Sequence, residues 1–333
     1  MNSDKPLISI CIPVYNSAEY LDKCLGTLTS QTYSNIEIIA VIDGDMKDDS
    51  VEICEKWAAG NPRIRVIKQP HGGLSVARNT GIDNTRGELI GFVDPDDYVE
   101  ADMYERLYEG LVSEEDIDMC IEGFIGQEEG TESGIELECN DRVINPYEGV
   151  GLMINAKISD YPWNKLYRKT LFDDIRYQAG NNFYDVGTTY KLVERSRKIR
   201  LIPYAGYHYI HRKGSLTSGR RIPDFLDSVE MHIDRYYYLI TKRPDLRKGL
   251  CKGLFRSSVS LGAACLVSGR DSRIENKDRR VKDYNIVEQI INENNKLYSG
   301  LEKMILRISR SDLTLVLVIS MCLEKLRRLI HGK

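Results

Sequence analysis

The chain has 333 residues, with 46 basic and 50 acidic side chains, a net charge of −4 and an apolar share of 42%. That length allows one large domain or two smaller ones around a substantial core. The apolar share excludes a disordered chain, and the near balance of charge gives no electrostatic case for a nucleic-acid partner.

Eight cysteines, at 11, 24, 54, 120, 139, 251, 265 and 322, include no C-x-x-C pair. Their scatter argues for reduced thiols of a cytoplasmic protein and against a disulfide framework or a zinc site. The opening residues Met1 to Pro6 run into an apolar strand with no signal-like region, so secretion is not expected.

Leu7–Val14 is an apolar, β-rich run. Asn16 with Glu19 reads as a capping box for a helix whose Tyr20, Leu21, Cys24, Leu25 and Leu28 share one face. Ile36–Ile42 is nearly all apolar and predicts a strand buried on both faces. There follow a helix around Ser50–Ala59, a strand over Arg63–Lys68, the turn His71-Gly72-Gly73, a helix over Leu74–Asn84 and a strand over Leu89–Val93. Strands separated by helices imply parallel pairing through right-handed crossovers, so the first hundred residues predict a doubly wound α/β sheet.

The second half is less regular. Ile117–Ile125 predicts a strand and the polar Gly126–Gly134 a loop. Asn145-Pro146-Tyr147-Glu148 supplies an N-cap, a first-turn proline and a capping-box glutamate for a helix reaching about Ala156. Asp185–Arg195 predicts a helix and Lys198–Tyr209 one or two strands. From Pro223, apolar residues at Phe225, Leu226, Val229, Ile233, Tyr236, Tyr237 and Ile240 recur at helical spacing, and helices are expected to continue to the end. The charged Asp271–Asp283 is expected to be exposed. Leu313–Leu323 is too short to span a bilayer and has basic flanks (Arg307, Arg310, Lys325, Arg327, Arg328, Lys333). Such a helix suits either an anionic membrane surface or a berth on the protein's own core.

The densest chemistry lies in Gly87 to Asp97, where an apolar strand ends in Asp94-Pro95-Asp96-Asp97. Three carboxylates in four residues repel one another unless positive charge offsets them. Hard divalent cations accept such oxygens and share them with phosphate-bearing substrates. A plainer reading is an acidic turn in which Asp96 or Asp97 caps a helix starting near Glu100. Three further segments fall at the same predicted sheet edge: Pro13-Val14-Tyr15-Asn16, Asp43-Gly44-Asp45, and His71-Gly72-Gly73 leading to Ala77-Arg78-Asn79. Carboxyl ends of strands in open α/β sheets are where ligands bind. A nicotinamide dehydrogenase would need G-x-G-x-x-G after the first strand, which is absent. A D-x-D-x-T phosphatase lacks its threonine, and a sugar-phosphate nucleotidyltransferase lacks its glycine-rich basic loop.

In combination these segments, with Gln31 to Ile39 and with Trp163-Asn164-Lys165-Leu166-Tyr167 and Tyr184-Asp185, resemble bacterial family 2 glycosyltransferases of the capsule, exopolysaccharide and lipopolysaccharide type. The resemblance covers roughly residues 6–218. It implies a GT-A fold: a mostly parallel, doubly wound sheet flanked by helices, followed by an α-helical C-terminal extension. It divides the chain into a glycosyltransferase domain at 1–218 (nucleotide-binding half 1–100, acceptor and catalytic half 101–218) and a helical region at 219–333. It implies an inverting, metal-dependent transfer from a nucleotide-diphosphate sugar, with UDP the expected nucleotide. The acceptor would be a saccharide or a saccharide carried on a polyprenyl diphosphate. Localisation would be cytoplasmic, with peripheral contact on the inner face of the membrane through 303–333.

The same resemblance assigns Pro13, Tyr15, Asn16 and Asp43 to the nucleoside, with Asp43 accepting a base N–H, and Arg78 to a phosphate or base carbonyl. Asp94 and Asp96 fall near the ribose, and Asp97, with Asp96, on a Mn²⁺ or Mg²⁺ ion. Asp185 becomes the general base for the acceptor hydroxyl, where the residues alone also allow a simple helix-opening aspartate. Trp163 and Lys165 fall near the donor sugar and acceptor, against the reading of a buried indole with a surface lysine. His211 and Arg212 fall near the metal and diphosphate. The chain departs from the family pattern at Ile42, at Asp45-Met46 and at Tyr184, where an aspartate, a Ser/Thr pair and a glutamate are usual. A rival expectation follows: a weakly active or inactive relative that binds a nucleotide or a partner protein.

Overall fold

The computed structural model describes residues 5–128, 134–137, 139–180, 183–212, 221–267 and 276–299. The chain divides into two compact units, Met1–Ser215 and Leu216–Lys333.

The first unit alternates as its hydrophobic pattern requires. β1 (Ile8–Val14) and β2 (Ile36–Asp43) are buried along their whole length, and each is followed by a helix, α1 (Ala18–Thr29) and α2 (Ser50–Gly60). β3 (Ile64–Gln69), α3 (Leu74–Asp83) and β4 (Leu89–Phe92) complete the parallel core. β1 pairs in parallel with both β2 and β4, and β2 with β3. The loops after β1, β2, β3 and β4 therefore share one edge of the sheet. Glu37, on the otherwise apolar β2, is satisfied inside the fold by Ser9 Oγ at 2.5 Å, Arg86 N at 2.7 Å and Arg65 Nη1 at 2.8 Å.

Beyond β4 come β5 (Tyr98–Val99), α4 (Met103–Leu111), β6 (Ile117–Ile121), β7 (Phe124–Glu128), β8 (Gly134–Leu137) and β9 (Arg142–Ile144). Then follow α5 (Pro146–Ile154), β10 (Lys165–Arg168), α6 (Tyr184–Arg195), β11 (Lys198–Leu201) and β12 (Tyr207–His211). Among the described residues the main sheet has eight strands in the order β3-β2-β1-β4-β10-β6-β11-β9. β10 runs antiparallel between β4 and β6. A second sheet has the order β5-β12-β7-β8.

Several local expectations need correction. The segment Ile117–Ile125 is not one strand: it breaks at Glu122-Gly123, and β7 joins the second sheet, taking in part of the predicted Gly126–Gly134 loop. The helix expected near Glu100 opens at Met103 with Asp102 at its N-cap, after Tyr98–Val99 has paired with β12, so neither Asp96 nor Asp97 caps it. Asn16 does not cap α1. It sits at φ 46° and its Oδ1 accepts from Lys47 N at 2.8 Å, while Asp48 Oδ2 takes the amide of Ala18 at 2.9 Å. Asn145 does cap α5, accepting from Glu148 N at 2.9 Å with Pro146 in the first turn.

In the second unit, α7 (Ile222–Ile240), α8 (Arg247–Val267) and α9 (Lys277–Glu293) pack on a core that includes Leu226, Val229, Tyr236, Leu254, Leu261, Val287 and Ile290. Asp283 is not exposed as its charged surroundings predicted. It is 1% accessible, and its Oδ2 has no hydrogen-bond partner. Among the described residues no helix is long and apolar enough to cross a membrane. The basic-flanked segment within 303–333 lies outside the described residues.

Candidate functional site

The Asp94-Pro95-Asp96-Asp97 run is a tight turn at the carboxyl end of β4, with Asp97 N donating to Asp94 O at 3.2 Å. Proline in its second place presets φ for such a turn. The turn sends its three carboxylates to three different partners. Asp94 accepts from Arg78. Asp96 accepts from Arg212 through Nε at 2.9 Å and Nη2 at 2.7 Å. Asp97 is 2% exposed and receives the Tyr207 hydroxyl at 2.6 Å and Ile210 N at 2.9 Å. Tyr207 Oη also accepts from Asp94 N at 3.1 Å, so one phenol on β12 fastens both ends of the turn.

Charge is incompletely offset here. Burial pushes the Asp97 carboxyl well above the usual carboxylate range, with Asp96 and Asp94 adding to the effect and the two hydrogen bonds opposing it. Burial also raises Asp94, against the pull of Arg78. Among the described residues no group of three or more His, Cys, Asp or Glu side chains is arranged to hold a metal ion by itself.

Arg78 reaches the turn from α3. It is 1% exposed, donates to Asp94 and to the Tyr184 hydroxyl, and its guanidinium lies 4.6 Å from the Tyr184 ring centre. Burial works against its charge, but Asp94, Tyr177 and Asp185 hold its pKa above the ordinary value. Tyr184 and Asp185 open α6, where Asp185 Oδ1 accepts from Val186 N at 2.8 Å. The Asp185 carboxylate also acts electrostatically on Tyr177 and Lys165. Arg78 thus bridges the turn at Asp94 to Tyr184, the neighbour of Asp185 in the first turn of α6. Tyr184, where the family pattern has glutamate, is the second partner of that arginine.

At the neighbouring edge, Asp43 ends β2 and is 3% exposed. Its Oδ1 accepts from Gln69 Nε2 at 2.7 Å and Gly72 N at 2.8 Å, and its Oδ2 from Gly73 N at 2.9 Å. Gly73, at φ +82°, takes the left-handed conformation that starts α3. Tyr15 is 44% exposed, and its ring centre lies 4.9 Å from that of His71. Pro13 is buried within β1, and Ile42 is a 2% exposed core residue of β2.

Trp163 and Lys165 are both buried, so neither presents itself to solvent. The indole stacks on Tyr207 at 4.1 Å, Tyr161 at 4.8 Å and Tyr209 at 5.6 Å. Lys165 Nζ donates to Tyr161 O at 2.5 Å, Asn164 Oδ1 at 2.7 Å and Ser159 Oγ at 3.1 Å. Burial lowers its pKa to about 7, opposed by Asp160, Cys139 and Asp185. His211 packs edge-on against Tyr209, and Arg212 lies 4.5 Å over Tyr20. Tyr207 was not singled out as a site residue from sequence, and His71 only as part of the His71-Gly72-Gly73 segment. Tyr207 carries no local signal, whereas His71 directly precedes the Gly72-Gly73 turn.

The sequence profile described as "Glycosyl transferase family 2" matches residues 9–176. The uncharacterized glycosyltransferase EpsJ of Bacillus subtilis (strain 168) is 31% identical over 94% of both chains. The chain belongs to glycosyltransferase family 2. Staphylococcus aureus TarS 1–349, solved in complex with UDP-GlcNAc, superposes with a TM-score of 0.69 at 17% identity, over 91% of this chain and 88% of that one. The mannosyltransferase PcManGT of Pyrobaculum calidifontis, solved with GDP-Man and Mn²⁺, gives 0.52 at 13% identity, over 92% and 88%. These likenesses establish the GT-A fold of this family 2 glycosyltransferase.

Proposed function

We propose that the protein is an inverting, metal-dependent glycosyltransferase that moves a sugar from a UDP-sugar to a saccharide or lipid-linked saccharide acceptor in bacterial surface-polysaccharide synthesis. The observation that carries this reading is the buried Arg78, which donates to Asp94 of the turn and to Tyr184 at the start of α6, with the Asp185 carboxylate within electrostatic reach. The likeness to a structure holding UDP-GlcNAc supports the donor class. Pro13, Tyr15, Asn16 and Asp43 form the nucleoside side of the site, Asp94 and Asp96 the ribose side, and Arg78 and Arg212 the cationic side.

In this mechanism Asp185 accepts the proton of the acceptor hydroxyl as that oxygen attacks the anomeric carbon. The bond from that carbon to the diphosphate oxygen breaks on the opposite face, and the anomeric configuration inverts. Arg78 and Arg212 meet negative charge on the diphosphate side. His211, Trp163 and Lys165 act through the loop beside the donor sugar, with Lys165 holding its backbone at Tyr161.

The turn suits a divalent cation by its charge: two carboxylates are matched by arginines, and the third, Asp97, has only neutral donors. Such ions commonly take one or two carboxylates together with substrate phosphate oxygens and water. Asp96, 19% exposed at its side chain, is the open ligand and Asp97 the one behind it. When bound, a Mn²⁺ or Mg²⁺ ion offsets the charge growing on the departing diphosphate.

The test is incubation with UDP-, GDP- and dTDP-sugars and Mn²⁺, with and without a lipid-linked saccharide. Transfer that EDTA abolishes and Mn²⁺ restores supports the reading. Tight nucleotide binding with no turnover across the panel supports a non-catalytic relative instead. Membrane contact through 303–333 is tested separately, by whether removing that segment changes membrane partitioning in cell fractions.

A further inference from the structure

We propose that the exposed face of α8 is a docking surface for a membrane bearing anionic phospholipid. The 21 residues of α8 include no aspartate or glutamate, and its charged side chains are Arg247, Lys248, Lys252 and Arg256. In a chain that carries more acids than bases, a helix charged with one sign alone directs a local positive field. Lys248, Lys252 and Arg256 are exposed, and among the described residues none of the three forms an ion pair or a side-chain hydrogen bond. By contrast, Arg279 of α9 pairs with Asp227 and Glu230, and Arg243 pairs with Asp245. Arg247 donates to the neutral Asn294 at 2.7 Å.

Spaced four residues apart, the three unpaired cations stand on successive turns of one helix face. Phe255 and Val259 fall among them, within an arc of about 100°, and both are half-buried. The Phe255 ring leans toward Tyr298, 6.2 Å between centres. Long basic side chains lay their methylenes along such apolar neighbours and send their charged ends outward. No acidic group along α8 sets a register for a partner protein. A fluid array of lipid phosphates needs none, so the charge pattern favours a bilayer surface. Each cation held near an anionic leaflet is worth roughly fivefold in partitioning, and three together about a hundredfold. This surface uses no residue of the transfer site. It is therefore tested apart from the transfer reading, and apart from contact through 303–333.

The test is flotation of the full chain with phosphatidylcholine vesicles, with and without about one third phosphatidylglycerol, at about 0.1 M and about 1 M salt. The wild-type protein floats with the anionic vesicles at low salt, is released at high salt, and stays with neither salt on the neutral ones. A triple variant, Lys248→Gln, Lys252→Gln and Arg256→Gln, binds the anionic vesicles at least about tenfold more weakly. Its melting temperature stays near wild type, since all three side chains are exposed. A control with the same loss of charge on exposed residues of the first unit, Lys56→Gln, Arg86→Gln and Lys157→Gln, floats as the wild type does. A triple variant of α8 that floats like the wild type assigns any membrane contact to another segment and overturns the proposal. So does a control that loses as much, a wild-type protein that does not float with the anionic vesicles, or one that floats equally with the neutral ones.

Discussion

Arg78 keeps its charge with its side chain wholly buried because Asp94 and Tyr184 accept its hydrogen bonds and Asp185 lies within electrostatic reach. Removing one member of such a set leaves an uncompensated charge and costs about 3–5 kcal/mol. Arg78→Met is therefore expected to lower the unfolding midpoint in urea markedly. Arg78→Lys recovers little, since an ammonium cannot reproduce the guanidinium's planar fork. Asp185→Asn is expected to cut transfer by roughly 10²–10⁴-fold. Donor affinity and thermal stability stay near wild type, because Val186 N still finds an oxygen at that position. Steady-state transfer and calorimetric titration separate the two effects. At this scale the aspartates, Arg78 and Asp185 were legible as polar residues at strand ends and helix starts. Their pairing was not, because no local pattern tells which of three neighbouring carboxylates an arginine 16 or more residues away will meet.

The Asp94–Asp97 turn holds its shape through β12, an element distant in sequence. Tyr207 donates to Asp97 and accepts from Asp94 N, so Tyr207→Phe leaves two buried groups short of a partner. It is expected to destabilise the protein by about 1–3 kcal/mol in denaturant titration, and also to weaken nucleotide binding. The parallel core strands were readable from unbroken apolar runs flanked by amphipathic helices. The second sheet was not: β5 is two residues long, and β7 takes a polar glycine-containing stretch into pairing with β12. The Asn16 cap failed for a related reason. Asp48, from the loop after β2, reaches the α1 amide first, and Asn16 is spent on Lys47.

Across the whole molecule, the two units meet different demands. The first pairs its buried carboxylates Asp43 and Asp97 with hydrogen-bond donors; the helical second unit contains a buried carboxylate, Asp283, held up to about 7 by burial and by Glu230, against Arg279 and Lys282. Its unfolded value is the ordinary 3.8. Between the two values the folded chain binds a proton that the unfolded chain does not, so this group's contribution to stability falls as pH rises from about 4 to 7. Above 7 the penalty is complete. Asp283→Asn is expected to raise the melting temperature at pH 8 and to leave it nearly unchanged at pH 4, read by calorimetric scans at both. The charged sequence around Asp283 hid this burial, since composition does not say which face of α9 packs inward.

The central claim is that the acid at 185 and the carboxylate turn serve one transfer reaction. It is tested most directly by following the purified protein with a UDP-sugar, Mn²⁺ and a saccharide acceptor by proton NMR. The expected result is UDP release with a product of opposite anomeric configuration, lost in Asp185→Asn while that variant still binds UDP. Retained configuration, or undiminished turnover by Asp185→Asn, would contradict it.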